Sequence, residues 1–187
     1  MTDFDCFLQV NKRLMRFAGF SLVELLVALA ILTIMAAATT YLYQEWRSYA
    51  DSESRLTQLT SAIVVTESYA LAFGRAVTLC KTQTGDNCDG NSWSQGLLVF
   101  FDDNNQHQVR SAGERIKVLL STGSQGTLTY YGFPSSNYWQ YQPKVSQSQQ
   151  NGTFIYCDNR QMHRDWRLVI NKTGRYKVER LRDERCL

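Results

Sequence analysis

The chain is expected to be α+β: one long amino-terminal helix, a membrane half plus an amphipathic half, packed on a carboxy-terminal antiparallel β-sheet domain. Three observations predict this. The run from Phe20 to about Leu42 is apolar and long enough to cross a bilayer. Leu56, Leu59, Ile63, Thr66, Ala70 and Phe73 then follow at helical spacing, which paints one apolar stripe. After Gly74 the rhythm changes to short segments rich in β-branched and aromatic residues, separated by Gly, Asn, Asp and Ser. A helix followed by a run of strands argues α+β rather than an alternating α/β fold.

The first half of the helix carries its own topology. Between Glu24 and Glu45 no side chain is ionisable except tyrosine. Lys12, Arg13 and Arg16 precede the segment, which keeps the leader cytoplasmic and sends the rest of the chain outside. The stripe of the second half ends at Phe73. Ser52, Glu53, Ser54, Arg55, Gln58 and Glu67 are expected on other faces, and Gly74 terminates the helix. Roughly 145 residues remain beyond the anchor, enough for one domain with its own core. Hydrophobic content of 44% excludes a disordered chain.

Strands are expected over 76–80, 96–101, 115–120, 128–131, 153–157, 166–170 and 175–178. Asn171-Lys172-Thr173-Gly174 joins the last two as a hairpin, with Gly174 supplying a positive φ. Residues 146–152 read as an exposed loop. The cluster Tyr130, Tyr131, Phe133, Tyr138, Trp139 and Tyr141 has two readings, core packing or a partner-binding surface.

Glu24 is the most conspicuous single residue. A lone carboxylate inside such a helix costs about 2.5–3.5 kcal/mol at mid-membrane and less near an interface. A group that costly usually has a partner and a role. The surrounding Gly19-Phe20-Ser21-Leu22-Val23-Glu24 resembles the class III signal of type IV pilins and type II secretion pseudopilins. The resemblance implies a prepilin peptidase that cuts after Gly19, N-methylation of Phe20, and retention of Glu24 for filament assembly. There Glu24 would meet the Phe20 ammonium of a neighbouring subunit. Two other readings stand beside it. One is a secretory signal cut after Ala36-Ala37-Ala38, against which Glu24 would lie inside the apolar region. The other is a plain single-pass anchor with Glu24 at the interface.

Cys6 lies in the leader, leaving Cys80, Cys88, Cys157 and Cys186, which permit three pairings. The simplest, Cys80–Cys88 with Cys157–Cys186, closes loops of about 9 and 30 residues, worth up to roughly 2.6 and 3.6 kcal/mol. Two disulfides suit an oxidising compartment outside the cytoplasm. A zinc site is disfavoured, since no Cys-x-x-Cys occurs and His107 and His163 lack ligand spacing.

Cys80, Asp86, Cys88, Trp93, Gly96, Val99, Phe100 and Asp102 form an ordered pattern. With Thr153-Phe154, Cys157-Asp158, Thr173-Gly174-Arg175 and the amino-terminal signal, they resemble the GspH/FimT group of minor pilins and pseudopilins. That likeness implies two antiparallel sheets near the long helix and a place near a filament tip. The partners it implies are other minor pilins, the major pilin, the prepilin peptidase and the inner membrane. Many major pilins have a proline part-way along the first half of the helix; this chain has Tyr41 and none nearby, which suits a minor component. The boundaries expected on this basis are a cleaved leader over 1–19, a membrane or filament-core helix over 20–43, its amphipathic continuation over 44–74, and a β-rich domain over 75–187.

No catalytic signature, cofactor loop or metal motif is expected. Asp102 and Asp103 are adjacent and so point apart on a strand end, and no nucleophile elbow or glycine-rich phosphate loop occurs. Charge, in contrast, is uneven. From Arg160 onward there are nine Lys or Arg against four Asp or Glu, net +5, whereas the whole chain is +3. Gly174-Arg175-Tyr176-Lys177 resembles the Gly-Arg-x-Arg motif with which some FimT-type minor pilins bind DNA. Arg175, Lys177, Arg180 and Arg182 are therefore candidate phosphate contacts, and three or four such contacts give a log–log salt slope near about −3. A solvated hairpin edge is the alternative use of the same charge.

The function expected is that of a minor pilin at a type IV pilus tip, helping to initiate assembly. DNA binding for uptake and a place in a type II secretion pseudopilus are the alternatives. The expected location is the inner membrane by a single pass, with the domain periplasmic and later at the surface.

Overall fold

A computed structural model describes residues 20–102, 115–120, 126–143, 150–159, 164–181 and 186. Helix α1 runs unbroken over Leu22–Phe73. Ser21 starts it: the Glu24 amide donates to the Ser21 hydroxyl at 3.2 Å, and the Leu25 amide to the Ser21 carbonyl at 3.1 Å. Ser21-Leu22-Val23-Glu24 thus has the sequence of a capping box, with a carboxylate in the first turn where the helix dipole favours it. Gly74, at φ +64°, ends the helix. The chain divides into two units, residues 1–42 and 43–187. In the first, every described residue is exposed.

The second unit holds eight strands: β1 Val77–Lys81, β2 Gly96–Phe101, β3 Arg115–Leu120, β4 Gly126–Phe133, β5 Tyr138–Tyr141, β6 Asn151–Asp158, β7 Trp166–Ile170 and β8 Tyr176–Arg180. They form two four-stranded antiparallel sheets, ordered β3-β2-β1-β5 and β4-β6-β7-β8. The α+β expectation holds. Strand β5 was not expected; Tyr138, Trp139, Gln140 and Tyr141 pair with β1, some 60 residues earlier.

Period-2 alternation decides which residues meet. Val77, Leu79, Leu97, Val99, Trp139 and Tyr141 of the first sheet face Leu128, Tyr130, Phe154, Tyr156, Trp166, Leu168 and Ile170 of the second in one core. Leu59, Ala62, Ile63 and Ala70 of α1 close it. Fully burying side chains of this size contributes roughly 1.5–3 kcal/mol each. Trp93 enters from the β1–β2 connection, edge-on to Tyr130 and Phe154 at 5.4 and 5.1 Å, its indole N–H donating to the Ser136 carbonyl. The Tyr130 ring crosses the paired Gly132 and Gly152, where an added Cβ would lie 2.4–2.5 Å from ring atoms. The aromatic cluster therefore splits by strand parity. Tyr130, Trp139 and Tyr141 are core, while Tyr131 and Phe133 are exposed.

Two details of the helix stripe need correction. Phe73 is exposed, stacking on Tyr69 and edge-on to Phe101 rather than entering the core. Ser52, expected on another face, is fully buried, and so is Ser48 one turn earlier. The inward face is thus extended by small hydroxyl residues, which let the sheet approach the helix closely.

Candidate functional site

Three sets of residues carry the chemistry expected from the sequence, and they lie in different places. At the helix start, Phe20 and Glu24 are both exposed and one turn apart. Gly19 lies outside the described residues.

The second set is the seam where α1 meets the β6–β7 end of the sheet. The Ser48 hydroxyl donates to the Asp158 carboxylate. The Ser52 hydroxyl donates to the Arg164 carbonyl at 2.7 Å, and the Trp166 indole N–H donates to the Ser52 carbonyl at 3.3 Å. The Arg164 guanidinium pairs with Glu45 at 3.0 Å and lies 5.4 Å from the Tyr49 ring centre. Sequence periodicity misses these contacts because the partners are more than 100 residues apart.

The third set is the β7–β8 hairpin. The Asn171 side chain accepts from the Thr173 amide and hydroxyl, and the Gly174 amide donates to the Asn171 carbonyl. Gly174 sits at φ +81°, and a Cβ there would be 3.3 Å from the Tyr141 ring and 3.4 Å from Glu67. Backbone sign and close approach both call for glycine. Arg175 and Lys177 follow, both exposed. Lys177 pairs with Glu179 at 2.9 Å, and Arg167 pairs with the same carboxylate. These two cations hold the Glu179 carboxyl below its usual range. Arg180 has the opposite parity and pairs with Glu53 of α1. Arg175 makes no ion pair among the described residues, and Arg182 lies outside them. The structure thus groups Arg175 with Lys177 and separates Arg180 from both.

Both disulfides, Cys80–Cys88 and Cys157–Cys186, are present, each with Cα atoms 5.6 Å apart. The first closes the β1–β2 connection, and the second ties the carboxy terminus to the end of β6. Asp89 organises the first loop. It accepts from the Thr82 and Thr84 hydroxyls and the Gln83 amide, which hold its carboxyl well below the usual range. Asp102 is buried, accepting from the Thr78 hydroxyl and the Gln140 amide group. Asp103 lies outside the described residues, as do His107 and His163. Among the described residues no group of three or more His, Cys, Asp or Glu is placed to hold a metal ion.

Comparison with known proteins completes this description. The profile described as prokaryotic N-terminal methylation motif matches residues 14–40, and that described as type II transport protein GspH matches residues 56–174. No curated protein matches. Two crystal forms of the type IV minor pilin FimU of Pseudomonas aeruginosa are similar in structure, each with a TM-score of 0.46. They are 17% and 15% identical, over 68% of this chain and 91% and 87% of theirs. With a profile that covers more than half of its length and a methylation motif ahead of it, this chain belongs to the GspH family of pilin-like proteins.

Proposed function

We propose that this chain is a minor pilin that helps initiate a type IV pilus from its tip. The bare apolar half of α1 carries this reading. From Phe20 to Leu42 every residue is exposed, and Glu24 is the one charged side chain. An apolar surface of that extent is not stable in water, so lipid must cover it before assembly and other subunits' helices afterwards. Prepilin peptidase cuts after Gly19 and the new Phe20 is methylated, which preserves its positive charge. Glu24 then meets the Phe20 ammonium of a neighbouring minor pilin or of the major pilin. The domain is periplasmic while α1 is in the inner membrane and reaches the cell surface with the pilus tip. Its work is structural rather than catalytic.

Glu24→Ala separates anchoring from assembly. Removing the charge favours insertion, so the variant remains in the membrane fraction. It is expected to lose its crosslinks to other pilins and to reduce piliation. Unchanged crosslinking and piliation would remove the assembly role. The partner recovered also separates this reading from a type II secretion pseudopilus, which shares every amino-terminal feature and would yield a pseudopilin instead.

A second reading, DNA binding, is favoured by the exposed pair Arg175 and Lys177. Among the described candidates Arg180 is engaged by Glu53, whereas Lys177, although paired with Glu179, keeps a side chain that is 77% exposed. Arg175 and Lys177 by themselves give an expected log–log salt slope of about −1.8. Titration of duplex DNA at low salt checks it, and Arg175→Gln with Lys177→Gln should flatten the slope. Absence of binding by the wild-type domain removes the DNA reading and leaves the assembly role standing.

A further inference from the structure

The membrane-proximal turns of the second unit have two faces of opposite chemistry. Ser48 and Ser52 face the sheet and are fully buried. Tyr43 and Trp46 lie about 140° and 160° around the helix from Ser48, at roughly 100° per residue. They are 57% and 65% exposed, with ring centres 6.5 Å apart. The three other tryptophans, Trp93, Trp139 and Trp166, are buried, so Trp46 is the one exposed indole of the chain.

Their position along the chain identifies the occupant. Leu25–Leu42 is an uncharged helical stretch of about 27 Å at 1.5 Å per residue, close to the roughly 30 Å hydrocarbon core of a bilayer. Tyr43 and Trp46 fall within the next helical turn. Amphipathic rings at that level settle among lipid headgroups, their apolar bodies toward the acyl chains and their O–H and N–H groups toward water. We propose that Tyr43 and Trp46 form a lipid-headgroup docking surface that sets the depth of α1 in the bilayer. This inference rests on the membrane-anchor part of the proposed function and adds a specific contact to it.

The test uses the full-length chain in phosphatidylcholine vesicles, at fewer than one protein per vesicle. Vesicles carry either a headgroup-level spin label or bromine deep in the acyl chains, and iodide probes from the water. Trp46 emission is expected to be quenched several-fold more by the headgroup label than by deep bromine, with iodide giving little effect. Trp46→Phe should abolish the lipid-dependent quenching, because the remaining tryptophans are shielded by the core. Strong iodide quenching with no lipid quenching would overturn the docking surface. So would shielding that arises only at protein densities where chains touch, since that marks a subunit contact. Failure to sediment with the vesicles would overturn the anchor itself, a result distinguishable from either of these.

Discussion

Ser52 gives the sharpest mutational test of how α1 is fastened to the sheets. It is fully buried, donates to the Arg164 carbonyl at 2.7 Å, and its own carbonyl accepts from the Trp166 indole. Ser52→Ala keeps the backbone contact and loses the side-chain hydrogen bond, a cost of about 1 kcal/mol. For roughly 145 residues that lowers the melting temperature by about 3–4 °C. Ser52→Leu also forces extra volume into a closed seam, adding roughly 1–3 kcal/mol. Its melting point should therefore drop by about 6–15 °C. Helix propensity alone predicts the opposite sign, because Leu is a better helix former than Ser. Ser54→Leu, two residues along at an exposed position, serves as the control and should stay within about 0.5 kcal/mol of wild type. Melts followed by near-ultraviolet circular dichroism on a fragment beginning at Tyr43 decide the matter. A Ser52→Leu protein as stable as wild type would refute the closed seam.

Two further outcomes concern the domain. Asp89 and Glu179 are held below their usual range, Asp89 first by the Gln83 amide and Glu179 first by Lys177. A carboxyl depressed in the folded state adds stability that is present above its unfolded value, near about 4, and is lost as pH falls through the folded one. Melting temperatures should be flat from neutral pH to about 5 and fall below it, less steeply in Asp89→Asn. The disulfides differ in loop length, so Cys157→Ser with Cys186→Ser should cost more than Cys80→Ser with Cys88→Ser. The upper limits are about 3.6 against 2.6 kcal/mol, read by denaturant unfolding, and a reversed order would contradict the chain-entropy account.

Long-period signals make most of the architecture legible in the sequence. The apolar run and the 3,4 stripe gave a helix over Phe20–Phe73, and α1 is Leu22–Phe73. Seven of the strands coincide with β-branched or aromatic segments bounded by turn residues. Strand β5 was missed because its four residues, Tyr138–Tyr141, show no alternation and acquire a strand's hydrogen bonds only from β1. Ser48 and Ser52 were missed for a related reason. Hydroxyl residues read as surface until partners at Asp158 and Arg164 arrive from more than 100 residues away. The charged tail was legible as a count but not as a site. Strand parity sends Lys177 outward and Arg180 back to Glu53, a division that follows only from the register of β7 with β8. Ser21 carried a signal that could have been read, since Ser21-Leu22-Val23-Glu24 is a capping box as well as part of a processing motif.

The mature amino terminus tests the central claim most directly. Intact mass and amino-terminal sequencing of the protein recovered from membranes should give Phe20, carrying one methyl group, as the first residue. Gly19 replaced by a bulky side chain should leave the uncut precursor. A mature chain that begins at Thr39, after Ala38, would contradict the account, because the helix half that carries Glu24 would then be discarded with the signal.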